Sequence, residues 1–449
     1  MKTVILRPNI KRYNNLPSML ISELYNLFLQ HPVVTTDTRN CPEGSLFFAL
    51  HGTTFNGNDF ALKALESGCA YAIVDEASLP ADDRLIQVED VLATLQQLAS
   101  YHRSKLATPI VQITGTNGKT TTKELTSAVL AEKFNVLFTQ GNFNNHIGVP
   151  KTLLRLTPEH DIAVVETGAN HPGEIAQLTK ITDPDCGLIT NVGMAHLEGF
   201  GSFEGVIRTK TELYDYLRRK PGAFIFLNGD NEHLAPHAEG LTRELYGETG
   251  HGYKVEGEVV ECNPALSFRF RLSGGEWHTV QTHLIGAYNL TNALAAIAVG
   301  VHFGITAEQA ARAIEGYIPS NNRSEYMRTA HNELIVDAYN ANPTSMKAAI
   351  DNFARIDHPH KMLILGEMRE LGVESSAAHR EVAAHAASLH AEAVWLVGEE
   401  FRPFAEGMHW FPDVESVKTA ITNGFSPRSR LILIKGSNGT RLFELPALL

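Results

Sequence analysis

The sequence has 449 residues, of which 43% are hydrophobic and 20% are charged. This is an ordinary globular composition, and at roughly 150 residues per domain it predicts about three domains. The formal net charge of -12 argues against a nucleic-acid or acidic-membrane partner, because such partners bind basic surfaces. Met1–Asn15 has no signal-peptide pattern, and no later segment approaches the roughly 18 uninterrupted apolar residues of a membrane span. Four widely spaced cysteines favour reduced thiols, so we expect a cytoplasmic protein without membrane insertion.

Short apolar runs in the first region, Ser45–Leu50 and Ala70–Asp75, predict a small α/β domain. The spacing of apolar residues in Val91–Leu106 predicts a connecting helix. Beyond it, apolar strands alternate with helices, which predicts a mainly parallel sheet covered on both faces. Ser267–Leu272 alternates polar and apolar residues and predicts a small antiparallel element on that sheet. The predicted strands are Ile110–Ile113, Ile162–Glu166, Gly187–Asn191 and Phe224–Asn228, with helices at Thr121–Lys133 and Gly205–Arg219.

A helix of small residues is predicted from Asn289 to His302, and Pro319–Asn322 marks the next boundary. After this boundary strands and helices alternate again, which predicts a compact Rossmann-like α/β domain. We therefore expect an α/β fold of three domains, with limits at 1–88, 89–318 and 319–449. The strands predicted last are Leu334–Asp337, Met362–Leu365, Ala393–Val397 and Leu431–Ile434, and the helices are Thr344–Ile356, Ser375–Leu389 and Val414–Asn423.

A glycine-containing loop follows the predicted strand that ends at Ile113, and a helix is predicted directly after it. Its glycines allow backbone N–H groups to turn toward phosphate oxygens, and the helix N-terminus adds partial positive charge. Lys119 supplies a full charge, and the Thr120 hydroxyl can ligate Mg²⁺. A glycine-rich turn that merely contains a lysine is the alternative, but the flanking strand and helix favour phosphate binding. The loop consists of Gly115, Thr116, Asn117, Gly118, Lys119, Thr120 and Thr121.

This loop resembles the ATP loop of the Mur ligases and of the related folylpolyglutamate synthetases. Further motifs match the Mur family in the order in which that family has them, and the resemblance extends over nearly the whole chain. It implies a ligase that uses ATP to form an amide bond through an acyl phosphate. The matching segments are Gly141–Pro150, Glu166–Ala169, Asn191–Leu197, Asn289–Asn292, Asp337–Pro343, Gly366–Gly372 and Lys435–Ser437.

The resemblance implies a metal site for Mg²⁺, with two ions, built from Thr120, Glu166, His196 and Lys210. Lys210 would carry CO₂ on its amine, because a carbamate offers the oxygens that Mg²⁺ prefers, whereas a free ammonium would be repelled. The residues alone leave other interpretations open. Glu166 could be a solvated residue at the end of a strand, and His196 a satisfied polar residue. Lys210 could be a helix-surface lysine that pairs with a nearby Glu.

Four residues are expected to contact the nucleotide beyond the loop. Asn289 and Asn292 lie three apart on one helix face, and buried amides need partners such as an adenine edge. The resemblance assigns Arg323 to the γ-phosphate and Asp337 to the ribose. The alternatives are a surface arginine and a cap for the helix Thr344–Ile356.

The resemblance also implies the substrates, UDP-N-acetylmuramoyl-tripeptide and D-alanyl-D-alanine. The first domain would bind the UDP-sugar, the central domain ATP, and the last domain the dipeptide, in a protein that we expect to be a monomer. His379, His385 and His390 lie on predicted polar helix faces and receive no role. The residues expected to bind substrate are Thr38, Arg39, Asn56, Asn144, Asn145, Asn340 and Asn342.

Three other functions compete with this interpretation. The chain could catalyse a Mur step that adds a single amino acid, or it could be a folylpolyglutamate synthetase-like ligase. The first region argues against the latter, since that family resembles the Mur ligases mainly in the other two domains. A regulatory ATP-binding module is disfavoured because a full set of reaction residues is present, namely Lys119, Thr120, Glu166, His196 and Lys210.

Overall fold

The computed structural model describes residues 19–319 and 323–449. The interpretation of Met1–Asn15 lies outside the described residues, as does most of the boundary at Pro319–Asn322. The first elements are α1 (Ile21–Gln30), β1 (Val34–Thr35), β2 (Leu46–Phe48), α2 (Ala61–Glu66), β3 (Tyr71–Val74), β4 (Leu85–Gln87), α3 (Val91–Arg103), β5 (Ile110–Thr114), α4 (Lys119–Ala131), β6 (Val136–Phe138) and α5 (Gly148–Leu153).

The middle of the chain carries strands and helices in alternation, followed by a run of strands. Its elements are β7 (Ile162–Glu166), α6 (Glu174–Thr182), β8 (Cys186–Ile189), α7 (Leu197–Phe200), α8 (Phe203–Leu217), β9 (Phe224–Asn228), β10 (Thr242–Glu248), β11 (Val255–Cys262), β12 (Ala265–Leu272), β13 (His278–Ile285), α9 (Asn289–His302) and α10 (Ala307–Gly316). The last elements are β14 (Glu325–Arg328), β15 (Glu333–Asp337), α11 (Pro343–Arg355), β16 (Lys361–Gly366), α12 (Ser375–Ser388), β17 (Ala393–Val397), β18 (His409–Phe411), α13 (Val414–Thr422) and β19 (Leu431–Lys435).

The chain divides into two compact units, and the first combines the described part of Met1–Thr108 with Phe143–Glu159 and Lys180–Asp183. Its sheet has four parallel strands in the order β1-β2-β3-β4. The later segments join it through specific contacts. His102 Nε2 lies 2.7 Å from the Leu156 carbonyl oxygen, and Arg103 Nε donates to the Thr182 carbonyl over 3.3 Å. The small α/β domain expected from the sequence is therefore present.

The second unit contains Pro109–Asn142, His160–Thr179 and Pro184–Leu449. Its larger sheet has nine strands in the order β13-β12-β11-β10-β9-β8-β5-β7-β6. All neighbouring pairs from β6 through β11 are parallel, and β11, β12 and β13 pair antiparallel. The expected parallel sheet and its antiparallel extension are both confirmed.

Helices cover both faces of this sheet because successive side chains of a strand point to opposite sides. In β9, Phe226 enters the core formed with α4 and α9, whereas Ile225 and Leu227 enter the core formed with α8. Since both faces are covered, the central strands β5, β7 and β8 are buried at every residue and lack the alternation of exposed and buried residues in a half-exposed strand.

A second sheet in the same unit has six strands in the order β14-β15-β19-β16-β17-β18. Its pairs are parallel except for β14 with β15. Leu363 and Leu365 of β16 pack against α11 and α12, and Met362 and Ile364 pack on the opposite side with α13. This confirms the Rossmann-like fold expected for the last region, while the domain limits 1–88, 89–318 and 319–449 stay a prediction.

The larger sheet has one edge at which its adjacent parallel strands β7, β5 and β8 all end. Carboxyl ends of parallel strands are where α/β sheets bind ligands. The candidate site lies at this edge. Across residues 19–319 and 323–449, none of the helices has both the length and the apolar content that crossing a bilayer requires.

Candidate functional site

The loop between β5 and α4 depends on two glycines with positive φ. Gly115 has φ +140° and Gly118 has φ +77°. A Cβ at Gly115 would overlap the hydroxyl of Thr190, and a Cβ at Gly118 would lie 2.5 Å from Asn292 Oδ1. Only glycine fits both the backbone conformation and the space, so the loop can lie close to β8 and α9.

Contacts with the segment after β8 hold the loop in place. The Asn117 N–H donates to Asn191 Oδ1 over 3.0 Å, and the Thr190 hydroxyl donates to the Asn117 carbonyl over 2.6 Å. The Gly193 N–H donates to Thr116 Oγ1 over 3.1 Å. Asn191 and Thr190 were not predicted as site residues, although Asn191 lies in a quoted family segment. Their contacts preorganise the loop before any ligand binds.

Lys119 begins α4 and its side chain folds back along the loop. Its Nζ donates to the carbonyl oxygens of Gly115 and Thr116 over 2.8 and 2.9 Å. Desolvation lowers the pKa of the Lys119 amine to about 8, the carboxylate of Glu166 opposes this shift, and the Arg323 guanidinium adds to it. Lys119 therefore lies among charged groups and not in an apolar core, as a phosphate ligand requires. Thr121 lies in the same first turn of α4.

Thr120 and Glu166 bring two oxygen donors together. Glu166 ends β7 and is 1% exposed, and the Thr120 hydroxyl donates to its Oε1 over 3.2 Å. The Glu166 N–H donates to Thr139 Oγ1 over 3.0 Å. A hydroxyl beside a carboxylate is a donor set that suits Mg²⁺. The described residues contain no group of three or more His, Cys, Asp or Glu side chains arranged to hold a metal.

His196 follows β8 and precedes α7, with φ +50°. Its Nδ1 contacts Glu370 Oε2, a partner that the sequence did not predict. Desolvation lowers the pKa of the His196 imidazole, Glu370 opposes the shift, and the positive charges of Lys119 and Lys210 add to it. His196 therefore lies close enough to both lysines for their charges to act on it.

Lys210 lies in α8 and is 2% exposed. Its Nζ donates to the Ala169 carbonyl over 3.4 Å and lies 5.3 Å from the centre of the Phe200 ring. Desolvation lowers the pKa of the Lys210 amine well below its usual value, and Lys119 lowers it further. The alternative of a helix-surface lysine is wrong, because the side chain is buried. Only the neutral form of an amine can react with CO₂, and burial of the Lys210 side chain favours that form.

Asn289 and Asn292 lie on one face of α9, as their spacing predicts. Asn292 Nδ2 donates to Asn289 Oδ1 over 2.8 Å, and Asn289 Nδ2 donates to the Ile285 carbonyl over 2.9 Å. The Thr122 hydroxyl donates to Asn292 Oδ1 over 3.1 Å. The protein itself supplies partners for these buried amides, so their burial does not require an adenine. Their contact with adenine stays a prediction.

The last domain places Arg323 and Asp337 through contacts of their own. The Arg323 guanidinium lies 3.9 Å from the centre of the Tyr339 ring. Lys435 Nζ donates to Asp337 Oδ2 over 2.6 Å and to the Asn340 carbonyl over 3.2 Å. The alternative role of Asp337 as a helix cap is wrong, because Asn342 caps α11 by accepting from the Ser345 N–H over 2.8 Å.

Asn342 also contacts the phosphate loop, since its Nδ2 donates to Asn117 Oδ1 over 2.8 Å. The N-terminus of α11 is thereby joined to the loop that follows β5. Asn340 is exposed, and its Oδ1 accepts from the Ala341 N–H over 2.9 Å.

The predicted substrate residues of the first unit are mostly at its surface. Arg39 is exposed and its guanidinium pairs with Asp37 over 2.8 Å, while Thr38 is half-buried beside it. Asn56 Nδ2 donates to Glu76 Oε1 over 2.5 Å. Asn145 Oδ1 accepts from the Gly148 N–H over 2.9 Å at the start of α5, and the neighbouring Asn144 is half-buried. Their role in substrate binding stays a prediction.

The prediction that His379 lies on a polar helix face is wrong. His379 is 0% exposed and its Nε2 accepts from the Met368 N–H over 2.9 Å. The polar sequence around it does not reveal that α12 turns this residue toward the core. His385 does pair with a polar side chain, Asp351, over 2.7 Å.

Gly115→Ala is expected to lower the free energy of unfolding by about 2 kcal/mol more than Gly141→Ala. Both glycines have positive φ, +140° and +53°, but a Cβ at Gly141 meets nothing within 4 Å. The difference between the two variants in urea unfolding therefore reports the overlap with Thr190 together with the greater backbone strain of alanine at φ +140°. Equal decreases in the free energy of unfolding would show that the loop accommodates the added Cβ at Gly115 without further destabilisation.

Comparison with known proteins places the chain in a family of ligases. It matches the family models described as Mur ligase family, catalytic domain, over residues 32–103, Mur ligase middle domain over 113–300, and Mur ligase, glutamate ligase domain, over 322–438. The chain belongs to the Mur ligase family. It is 35% identical to the UDP-N-acetylmuramoyl-tripeptide--D-alanyl-D-alanine ligase of Bacillus subtilis, over 97% of this chain and 98% of that protein.

Solved structures agree with this assignment. The chain resembles MurF from Acinetobacter baumannii with a TM-score of 0.82 and 31% identity, covering 92% of each chain. It resembles the MurF ligase from Thermotoga maritima, solved in complex with ADP, with a TM-score of 0.81 and 25% identity, covering 93% of this chain and 96% of that one.

Proposed function

We propose that this chain is an ATP-dependent ligase that joins D-alanyl-D-alanine to UDP-N-acetylmuramoyl-tripeptide in peptidoglycan precursor synthesis. It forms an amide bond and releases ADP and phosphate. The observation that carries the proposal is the position of Lys119, Glu166 and His196 at the carboxyl ends of three adjacent parallel strands of a Mur ligase fold. Relatives that the chain matches over nearly their whole length, and that are named for this reaction, support the choice of substrates.

The reaction begins with transfer of the γ-phosphoryl group of ATP to the terminal carboxylate of the tripeptide. The backbone N–H groups of the loop and the Lys119 ammonium stabilise charge on the transferring group. The amine of D-alanyl-D-alanine then attacks the acyl phosphate, the amide forms and phosphate leaves. Positioning and electrostatics suffice for both steps, so no side chain acts as a nucleophile.

The residues present fit Mg²⁺, which would offset negative charge on the phosphates. Thr120 and Glu166 would hold it through their oxygens, together with His196 and a carbamylated Lys210. The contact of Thr120 with Glu166 and the buried amine of Lys210 support this assignment.

The remaining nucleotide contacts are assigned to Asn289, Asn292, Arg323 and Asp337. ATP would lie where the loop meets the last domain, which the Asn117–Asn342 hydrogen bond supports. We assign binding of the UDP-sugar to the domain 1–88, binding of ATP to 89–318 and binding of the dipeptide to 319–449. We also propose that the protein is a cytoplasmic monomer that binds neither nucleic acid nor membrane.

D-Alanyl-D-alanine is expected to be the preferred amine, by roughly 10²-fold or more in kcat/KM over a single amino acid. The test measures coupled ADP release with UDP-N-acetylmuramoyl-tripeptide and the dipeptide. The comparison reaction contains UDP-N-acetylmuramoyl-dipeptide with meso-diaminopimelate or lysine.

Four outcomes distinguish the competing functions. ADP release that requires both the tripeptide and D-alanyl-D-alanine supports the proposal. Faster release with a single amino acid would assign the chain to the preceding Mur step, and release with a folate and glutamate to the folylpolyglutamate synthetase-like activity. ATP hydrolysis that ignores both substrates would indicate a regulatory ATP-binding module.

A further inference from the structure

The segment after β16 brings an acidic side chain to the imidazole of His196. In this segment, residues 367–371, Glu370 Oε2 contacts His196 Nδ1. The Glu198 N–H also lies 3.5 Å from the Glu370 carbonyl oxygen, and donates to it. Glu370 has φ +61°, a left-handed conformation that residues other than glycine rarely adopt. Contacts elsewhere in the segment must therefore hold Glu370 in place.

The start of the segment is anchored on both sides. The Glu367 N–H donates to the Val397 carbonyl over 3.0 Å, and the Ser437 hydroxyl donates to the Glu367 carbonyl over 2.8 Å. The next N–H, that of Met368, donates to Nε2 of His379 over 2.9 Å. His379 is thus the side chain in α12 that holds the backbone two residues before Glu370.

The hydrogen-bond partners of the His379 ring determine which nitrogen carries the proton. The Ser375 hydroxyl lies 3.3 Å from Nδ1 and donates to Glu400 Oε2 over 2.7 Å, so it can accept from the ring. Nδ1 lies 2.7 Å from the Ser375 carbonyl oxygen, which can only accept a hydrogen bond. Nε2 faces the Met368 N–H, which can only donate. The ring is therefore neutral, with its proton on Nδ1.

The surroundings of His379 keep this state. The side chain is fully buried, and its ring meets that of Phe401 edge-on with 4.7 Å between centres. Desolvation lowers the pKa of the imidazole, while the Ser375 carbonyl, Glu400 and Glu367 oppose the shift.

We propose that His379 is a positioning residue for the ligase reaction, because it holds the Met368 N–H and thereby the segment that directs Glu370 to His196. A carboxylate on one ring nitrogen of a histidine fixes the orientation of the other. His379 thus acts on His196 through Glu370, although it does not itself contact the loop between β5 and α4. The kinetic test of this inference rests on the proposed function, because it measures the ligase reaction.

The test uses two amide variants that separate the two hydrogen bonds. In His379→Asn the short side chain can donate to Ser375 from near the Nδ1 position, but its amide oxygen does not reach the Nε2 position that faces Met368. In His379→Gln the longer side chain can place its amide oxygen near the Nε2 position. We expect His379→Asn to lower kcat roughly 10-fold with an unchanged KM for ATP, and His379→Gln to restore most of it. Hydrogen exchange at the Met368 amide should accelerate in His379→Asn and stay slow in His379→Gln. His385→Asn, on the same helix, is the control and should retain the wild-type kcat.

A double-mutant cycle separates positioning from a general loss of stability. Glu370→Gln alone is expected to lower kcat by a similar factor, and adding His379→Asn to it should cause no further loss. A normal kcat in Glu370→Gln, or equal losses from His379→Asn in both backgrounds, would overturn the proposal. Failure of the wild-type protein to ligate D-alanyl-D-alanine would refute the proposed function instead. The exchange rate of Met368 would still report whether His379 holds the segment.

Discussion

We expect Lys119→Ala to lower ADP release by about 10³-fold or more while the fold remains intact. In the proposed reaction, the Lys119 ammonium carries the full positive charge that the loop offers to the transferring phosphate, and the partial charge of a backbone N–H cannot replace it. The side chain contacts the loop carbonyls of Gly115 and Thr116 and contributes to no apolar core, so its removal leaves packing unchanged. Coupled ADP release measures the turnover, and circular dichroism measures whether the fold is intact.

Lys133→Ala provides the matched control for this variant. Lys133 is exposed just beyond the far end of α4, so its removal takes one positive charge from the same region without altering the loop. Near-normal ADP release by Lys119→Ala would contradict the assignment of a phosphate loop.

Lys210→Ala is the second variant for which we expect a large effect, a loss of roughly 10²-fold or more in kcat. If the buried amine carries CO₂, the variant lacks a negatively charged metal ligand. Small carboxylic acids such as formate or acetate should occupy the same space and restore part of the activity. The measurement is ADP release at increasing carboxylic acid concentration.

Arg208→Ala is the control for Lys210, because Arg208 is exposed on the same helix two residues earlier. It should retain activity and should not respond to carboxylic acids. Full activity of Lys210→Ala would refute the role of Lys210, and loss of activity without rescue would argue for the free amine over the carbamate.

The elements of the fold could be predicted from the sequence because most have a strong pattern. The helix Asn289–His302 and the strands Ile162–Glu166, Phe224–Asn228 and Ala393–Val397 begin and end as predicted. Their apolar runs are those of strands and helices buried on every side. In contrast, β10, Thr242–Glu248, was not predicted, because its first residues are polar and only two of its seven residues are buried.

Residues of the candidate site could be predicted only where a reactive or charged side chain lies next to a recognisable strand in the sequence. The phosphate loop and Glu166 directly follow or end apolar strands, so their common edge could be expected. Glu370 reaches His196 from a position 174 residues later in the chain, and no local pattern encodes that contact. The same holds for Lys435, whose partner Asp337 ends a strand 98 residues earlier.

The order of strands in the smaller sheet has a consequence for synthesis of the chain on the ribosome. The strand made last, β19, lies between β15 and β16 and pairs with both. Until Leu431–Lys435 has emerged, these two strands have unpaired edges facing one another, and β16, β17 and β18 cannot join β15. Exposed strand edges of this kind favour pairing with other chains. We therefore expect a chain whose β19 has not yet paired to aggregate more readily than one in which this strand has closed the sheet.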